Sequence, residues 1–272
     1  MPLPIIDYLF VKIIKKITSV TLILHNTNNF HGEVSGLRSF GYLRYVKEFN
    51  GYLSHSSQGV EFLKGLGIEA SLIHKIDFPL KLKEMPSNNL EIRRSSNLLL
   101  FYGIIRPYKG IALLHEAMQL LKTDDKLCFQ LIIAGRWNEK LLALKEGFCD
   151  CFAENELDIK DEFIVDNVEN KLLSNTRAIV LPYDDVDGSG VLANSLEYNV
   201  PVICSDLDPF KEILGSDYPL LFRKGDCAHL AEMIDLAMSK DEILNSASIR
   251  ISEVRRMMGK WDDPNTGRNY LR

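Results

Sequence analysis

The chain is 272 residues long, 46% hydrophobic and 25% charged, with a formal net charge of −5. That composition buries a real core and excludes a disordered or fibrous chain, and the length fits two small domains or one large one. The acidic balance argues against a general nucleic-acid binder, and the cysteines (Cys128, Cys149, Cys151, Cys204 and Cys227) follow no zinc spacing and read as thiols of a reducing compartment, Cys128 and Cys204 being buried in apolar runs.

The first sixteen residues lack the order of basic region, apolar run and small-residue cleavage site that marks a signal peptide. Lys12, Lys15 and Lys16 leave the apolar run too short to span a bilayer. Ile5, Leu9 and Ile13 recur at helical spacing, which predicts a helix packed through those residues with a solvated lysine face. A helix lying on a membrane surface is the alternative. Strands are predicted at Val20–Leu24, Tyr52–His55, Ser71–His74, Leu98–Tyr102, Phe129–Ala134, Phe163–Val165, Ala178–Leu181 and Val202–Cys204. Helical patterns fall between them, as at Ile111–Leu121, Val191–Tyr198 and Ala228–Met238. Such alternation argues for parallel sheets covered on both faces. The polar stretch Glu84–Ser96 contains Pro86 and reads as an interdomain linker.

Four segments each follow a predicted strand directly, so they should converge beyond the carboxyl ends of one sheet, where open parallel sheets bind ligands. Gly103–Gly110 sets two cations, Arg106 and Lys109, three residues apart between glycines at a helix start. Such cations suit a diphosphate leaving group, whose charge grows as its bond to the sugar breaks. In Ile133–Arg136, Gly135 allows either a sharp strand exit or close approach of a ligand. Leu181–Leu192 is the most informative: an acidic loop runs into Gly188-Ser189-Gly190, which opens a helix. Its unpaired N–H groups and dipole favour an anion, Ser189 adds a donor, and Asp187 is placed to accept bonds from sugar hydroxyls. No P-loop pattern occurs. Asn199–Asp206 supplies the next strand and its exit, with Pro201 tolerated at the strand start.

Together the order G-x-x-R-x-x-K-G, I-I-A-G, L-P-Y…G-S-G-V-L and P-V-I-x-S-D, then Glu212 in FKEIL, resembles the donor domain of family 4 glycosyltransferases, a retaining group of GT-B architecture. Trp261 lies in a stretch similar to that family's closing segment. The resemblance covers roughly Asn97–Leu271. It implies an α/β fold of two Rossmann-like domains, the first one incomplete: 1–90 on the acceptor side, 91–250 for the donor, and 251–272 as a crossover segment. Arg106, Lys109, Gly135, Gly188, Ser189 and Gly190 would bind the donor, with Asn194 or Glu197 on the ribose. Asp187 would hold the sugar. His25, in a stretch similar to the family's H-N…H, would face the donor across the cleft as the second catalytic residue. The family's two glutamates, eight positions apart, fall here at Val186 and Asn194, so the pattern is a variant one. The resemblance further implies that roughly the first hundred residues of a usual member are missing.

The implied activity is transfer of a sugar, with retention, from a nucleoside-diphosphate sugar to a saccharide or lipid-linked acceptor. No metal or other cofactor is expected. The implied setting is cytoplasmic, with membrane-surface contact and self-association or a partner chain through the short first domain as candidate interactions. The alternatives are a truncated, non-catalytic nucleotide-sugar-binding module, half of a two-chain enzyme, or a sugar-nucleotide epimerase of similar architecture.

Overall fold

The computed structural model describes residues 4–24, 42–77, 80–84, 86 and 89–258. The chain divides into two compact units, Met1–Phe78 with Val186–Gly188, and Pro79–Asp185 with Ser189–Arg272. The first unit therefore closes at Phe78, ahead of the boundary expected near residue 90.

In the first unit, helix α1 (Pro4–Ile14) precedes strands β1 (Thr21–Leu24) and β2 (Gly51–Ser54), helix α2 (Ser57–Gly65) and strand β3 (Ile73–Lys75). The strands pair in parallel in the order β1-β2-β3. Ser56 caps α2, its hydroxyl accepting from the Gly59 N–H at 3.0 Å. Val11, Leu24, Val46, Phe49, Tyr52, Leu63 and Ile73 form the core. The expected packing of α1 is corrected here. Among its described side chains Val11 is the buried one, whereas Leu9 and Ile13 are exposed together with Phe10 and Ile17; the Ile5 side chain lies outside the described residues. The i, i+4 count identified an apolar stripe but not which side of the helix the sheet occupies. Among the described residues no helix is long and apolar enough to cross a membrane.

The second unit begins with helix α3 (Asn89–Ser95) and strand β4 (Leu98–Tyr102). Then come α4 (Ile111–Thr123), β5 (Gln130–Ala134), α5 (Leu142–Cys151), β6 (Leu157–Lys160), α6 (Asp166–Asn175), β7 (Ala178–Leu181), α7 (Gly190–Glu197), β8 (Val202–Ser205), α8 (Asp208–Leu214), β9 (Leu221–Phe222), α9 (Cys227–Ser239) and α10 (Asp241–Met258). All the strands are parallel, in the order β6-β5-β4-β7-β8-β9. The chain winds outward from β4 to one edge, returns, and winds outward again from β7. This is the doubly wound order, with its topological switch point between β4 and β7. Both β7 (AIVL) and β8 (VICS) are buried at every position, as strands covered on both faces must be.

Three expectations are revised. Phe163–Val165 is a loop with Phe163 exposed; the strand is Leu157–Lys160, an edge strand whose Leu157 is buried beside Leu131 while its polar residues are only partly covered. Cys128 is exposed, unlike Cys204. Most of the supposed linker is α3, which packs on α10.

Its polarity has a physical reason. Arg93 is 1% exposed and donates to the carbonyls of Leu173 and Thr176 at 2.5 and 2.7 Å and of Tyr198 at 3.1 Å. Those carbonyls end α6 and α7, where intrahelical partners run out. Burial lowers the guanidinium to a pKa of about 10, which still leaves it charged at neutral pH. One cation thus terminates two helices from inside the domain. Arg93→Met removes its donors from three buried carbonyls, each orphaned group costing about 1–3 kcal/mol. Urea denaturation should show the second unit destabilised by at least about 3 kcal/mol.

Candidate functional site

The loops leaving β4, β5 and β7 meet at the switch point, and glycines set how closely. Gly103 ends β4 at φ +95°, and its N–H donates to the Ala134 carbonyl at 2.9 Å. Gly135 ends β5 at φ +143°, and a Cβ there would lie 2.0 Å from the Gly103 carbonyl oxygen. The Ile105 N–H then donates to Arg136 and that of Asn138 to Ile105, at 2.9 and 3.0 Å, so the two exit loops run bonded together. On the other flank, Gly110 at φ +68° passes so near β7's exit that a Cβ would sit 1.7 Å from the Pro182 carbonyl oxygen. The Asp184 N–H donates to Tyr108 at 2.8 Å. Of the two uses considered for Gly135, the structure assigns the backbone one, a strand exit against Gly103.

The turn Pro107–Lys109 carries the cations. Arg106 is exposed, but Lys109 is 8% exposed, its ammonium 5.5 Å from the Tyr183 ring centroid. The ammonium also lies against Gly103, where a Cβ would be 2.9 Å from Nζ. Desolvation, and then the Arg106 charge, lower Lys109 to a pKa of about 8. A buried ammonium facing a second cation is an unsatisfied positive site, and an anion would relieve it.

Helix α7 points its start at the same place. Ser189 is its cap, the hydroxyl oxygen accepting from the Leu192 N–H at 3.1 Å. Tyr183 is buried, its phenol raised by desolvation, and Ser189 acts on it in the opposite direction. Gly190 is exposed, and nothing lies within 4 Å of where its Cβ would be. Its φ is not positive, so neither strain nor crowding demands a glycine there. Unlike Gly103, Gly110 and Gly135, it keeps open a space that the fold itself does not use.

Farther along α7, the Asn194 amide donates to Glu169 Oε1 at 2.7 Å. Glu197, at the end of α7, accepts from the Lys81 N–H at 2.6 Å. Asp187 is half-buried in the segment Val186–Gly188, which groups with the first unit, as does Gly188. His25 lies outside the described residues. The second unit thus gathers Arg106, Lys109, Gly135, Ser189 and Gly190 around one switch point, with Asn194 one turn deeper. Tyr183 and Glu169 were not singled out from sequence. Tyr183 stands in a quoted motif, whereas Glu169 belongs to no motif and becomes visible only through its contact with Asn194. Among the described residues no three or more His, Cys, Asp or Glu side chains are grouped to hold a metal ion.

Residues 83–254 match the family described as glycosyl transferases group 1. Among solved structures, the chain is similar to sucrose-phosphate synthase from Thermosynechococcus elongatus, with 14% identity and a TM-score of 0.76 over 97% of this chain and 70% of that one. It is likewise similar to Anabaena HepE in complex with UDP and glucose, with 14% identity and a TM-score of 0.71 over 94% and 70%. A glycosyltransferase from Rickettsia africae gives 14% identity and a TM-score of 0.62 over 94% and 78%. No curated protein matches the chain by sequence. At these identities the structural neighbours establish the fold, an α/β GT-B architecture with parallel sheets.

The glycines should separate by role. Gly110→Ala and Gly135→Ala combine positive φ with a backbone clash and should each cost more than about 1 kcal/mol in thermal or chemical denaturation. Gly190→Val meets open space and should stay within about 0.5 kcal/mol of the parent.

Proposed function

The chain belongs to the glycosyl transferases of group 1, and from that premise we propose that it moves a sugar, with retention at the anomeric carbon, from a nucleoside-diphosphate sugar to a saccharide or lipid-linked acceptor. The observation that carries this reading is the buried Lys109 ammonium beside the open, glycine-started amino end of α7, both at the switch point. One is a desolvated charge and the other a set of unpaired N–H donors on a helix dipole, and a diphosphate satisfies both. Their spacing comes from the bonded exit loops of β4, β5 and β7, so it is set before any ligand arrives. Preorganised positive potential is what a departing nucleoside diphosphate requires.

In this reading the bond between the anomeric carbon and the diphosphate oxygen breaks as the acceptor oxygen bonds to the same face of that carbon. The acceptor's proton is released, and the nucleoside diphosphate leaves with the bonding electrons. Lys109, Arg106 and the α7 amino end stabilise the negative charge on that leaving group. In the same proposal Asp187 is an acceptor of hydroxyl bonds from the sugar and His25 is the second catalytic residue. No metal is required, since cations and the helix dipole carry the neutralisation. UDP is the first nucleotide to test, because the Anabaena HepE structures hold UDP with glucose and UDP-glucose.

Titration calorimetry should detect UDP or GDP binding by the chain, and it should persist in excess EDTA. Charge-assisted bonds of roughly 1.5–3 kcal/mol each predict about a tenfold or greater loss for Lys109→Ala and a several-fold loss for exposed Arg106→Ala. Unchanged affinity in the double variant would remove the site assignment, and affinity restored only by magnesium or manganese would remove the metal-free reading.

The pH dependence follows from the same lysine. The protonated ammonium binds the anion, and the free protein's Lys109 titrates at about 8. Above about pH 7, where the terminal phosphate is fully ionised, affinity should therefore be level toward pH 8 and fall as pH rises through it. Lys109→Met should abolish that limb along with most of the affinity. A profile in the parent that stays flat to pH 9.5 would contradict the assignment.

A further inference from the structure

Beyond the diphosphate cradle, the second unit holds a polar group that the function above does not use. Glu169 is in the first turn of α6 and Asn194 in the second turn of α7, and they are joined through the 2.7 Å bond from Nδ2 to Oε1. The carboxylate is half-buried, and burial raises its pKa. Oε1 is taken by the amide, and among the described residues Oε2 has no hydrogen-bond partner. Beneath the pair lies Tyr102, the last residue of β4. It is 4% exposed, and its hydroxyl lies against the Asn194 amide without a well-formed hydrogen bond. A half-desolvated carboxylate with one oxygen oriented and the other open, above an unsatisfied buried hydroxyl, lacks its hydrogen-bond partners. The hydroxyl is sealed in, and the open carboxylate oxygen is the one that calls for a donor from outside the protein.

The position says which donor. Asn194 is four residues beyond Gly190, and at about 1.5 Å of rise per residue that puts it roughly 6 Å along α7 from the anion-binding end. That is about the step from a diphosphate to the ribose that carries it. In doubly wound nucleotide sites a carboxylate accepts from ribose hydroxyls, commonly the 2′-OH. We propose that Glu169 is the ribose-binding residue of this chain, taking the 2′-hydroxyl on Oε2 while Asn194 fixes the carboxylate through Oε1. The recognition falls on a carboxylate supplied by α6, with α7 contributing only the orienting amide. It selects ribonucleotide over deoxyribonucleotide donors.

This inference rests on the nucleotide-site reading, and the test separates the two. UDP and 2′-deoxy-UDP, with GDP and 2′-deoxy-GDP alongside, are titrated calorimetrically into the full chain and into Glu169→Gln. The parent should prefer each ribonucleotide it binds by about tenfold or more, in line with a hydrogen bond to a charged acceptor. Glu169→Gln should weaken the ribonucleotide about tenfold and the deoxy form less than threefold, so the preference collapses. Asn194→Ala, measured as a second variant in case the first fails to fold, should reduce the preference by loosening the carboxylate. Equal binding of ribo and deoxy forms by the parent, or a preference intact in either folded variant, overturns the Glu169 assignment and leaves the nucleotide site standing. Failure of the parent to bind any of the four overturns both.

Discussion

A buried arginine with no carboxylate partner among the described residues holds the second unit in register. Arg93 places a full positive charge at the carboxyl ends of α6 and α7, bonded to three carbonyls that nothing else in those helices satisfies. Bringing a guanidinium out of water is costly, and here the return is carbonyl bonds plus the favourable meeting of a cation with two negative dipole ends. Arg177 extends the arrangement. It is 4% exposed, donates to the backbone of Ala237 and Arg94, and pairs with Asp241 at 2.7 Å. The two arginines tie α3, α6, α7, α9 and the start of α10 together on the side away from the strand-exit loops. Residues far from the switch point thus help decide where the opposite, amino ends of α6 and α7 stand.

At those opposite ends the electrostatics are reversed. The last turns of α6 and α7 are neutralised by protein, but the amino end of α7 is capped only once, by Ser189. The nearby cation is a lysine whose burial makes its charge costly rather than comfortable. A protein selected for stability alone would not bury Lys109 beside Arg106 with no carboxylate. Its ammonium lies against Gly103 and Tyr183, a place created by backbone contacts among three exit loops. Gly103, Gly110 and Gly135 permit those contacts, and they fix the position of the charge. Burying that charge costs stability locally, and the surrounding β4–β7 core, almost fully buried, offsets it.

How much of this was legible in sequence depends on the kind of signal. β4 and β7 have the expected bounds because short apolar runs, buried throughout in β7 and at all but Leu98 in β4, have few other readings between turn residues. The edges were harder. β9 is two residues long, and β6 carries Asp158 and Lys160 on a partly solvated edge, so nearby Phe163 drew the prediction to an exposed loop. Arg93 misled because polarity was equated with solvent, whereas its partners are carbonyls contributed by residues about 80 to 105 positions away. The cations and glycines of the site were visible as types at fixed offsets from strands. The division of labour among the glycines was not, since Gly135 and Gly190 differ only in what a Cβ would meet in three dimensions.

The same distinction bears on the variant acidic pattern. Read along one helix, α7 lacks a carboxylate at Asn194 and carries one at Glu197, where it is engaged with the Lys81 backbone. Read across two helices, a carboxylate is present, because Glu169 of α6 reaches the Asn194 amide. A contact shared between two helices is more fragile than one built into a single helix, since its geometry depends on their relative position. That position is set by Arg93, which grips the far end of each. The bonds from Arg93 to the far ends of α6 and α7 oppose their sliding and so support the contact between Glu169 and Asn194. The polar residue hidden in an apparent linker and the carboxylate displaced from its expected helix are two ends of one mechanical arrangement.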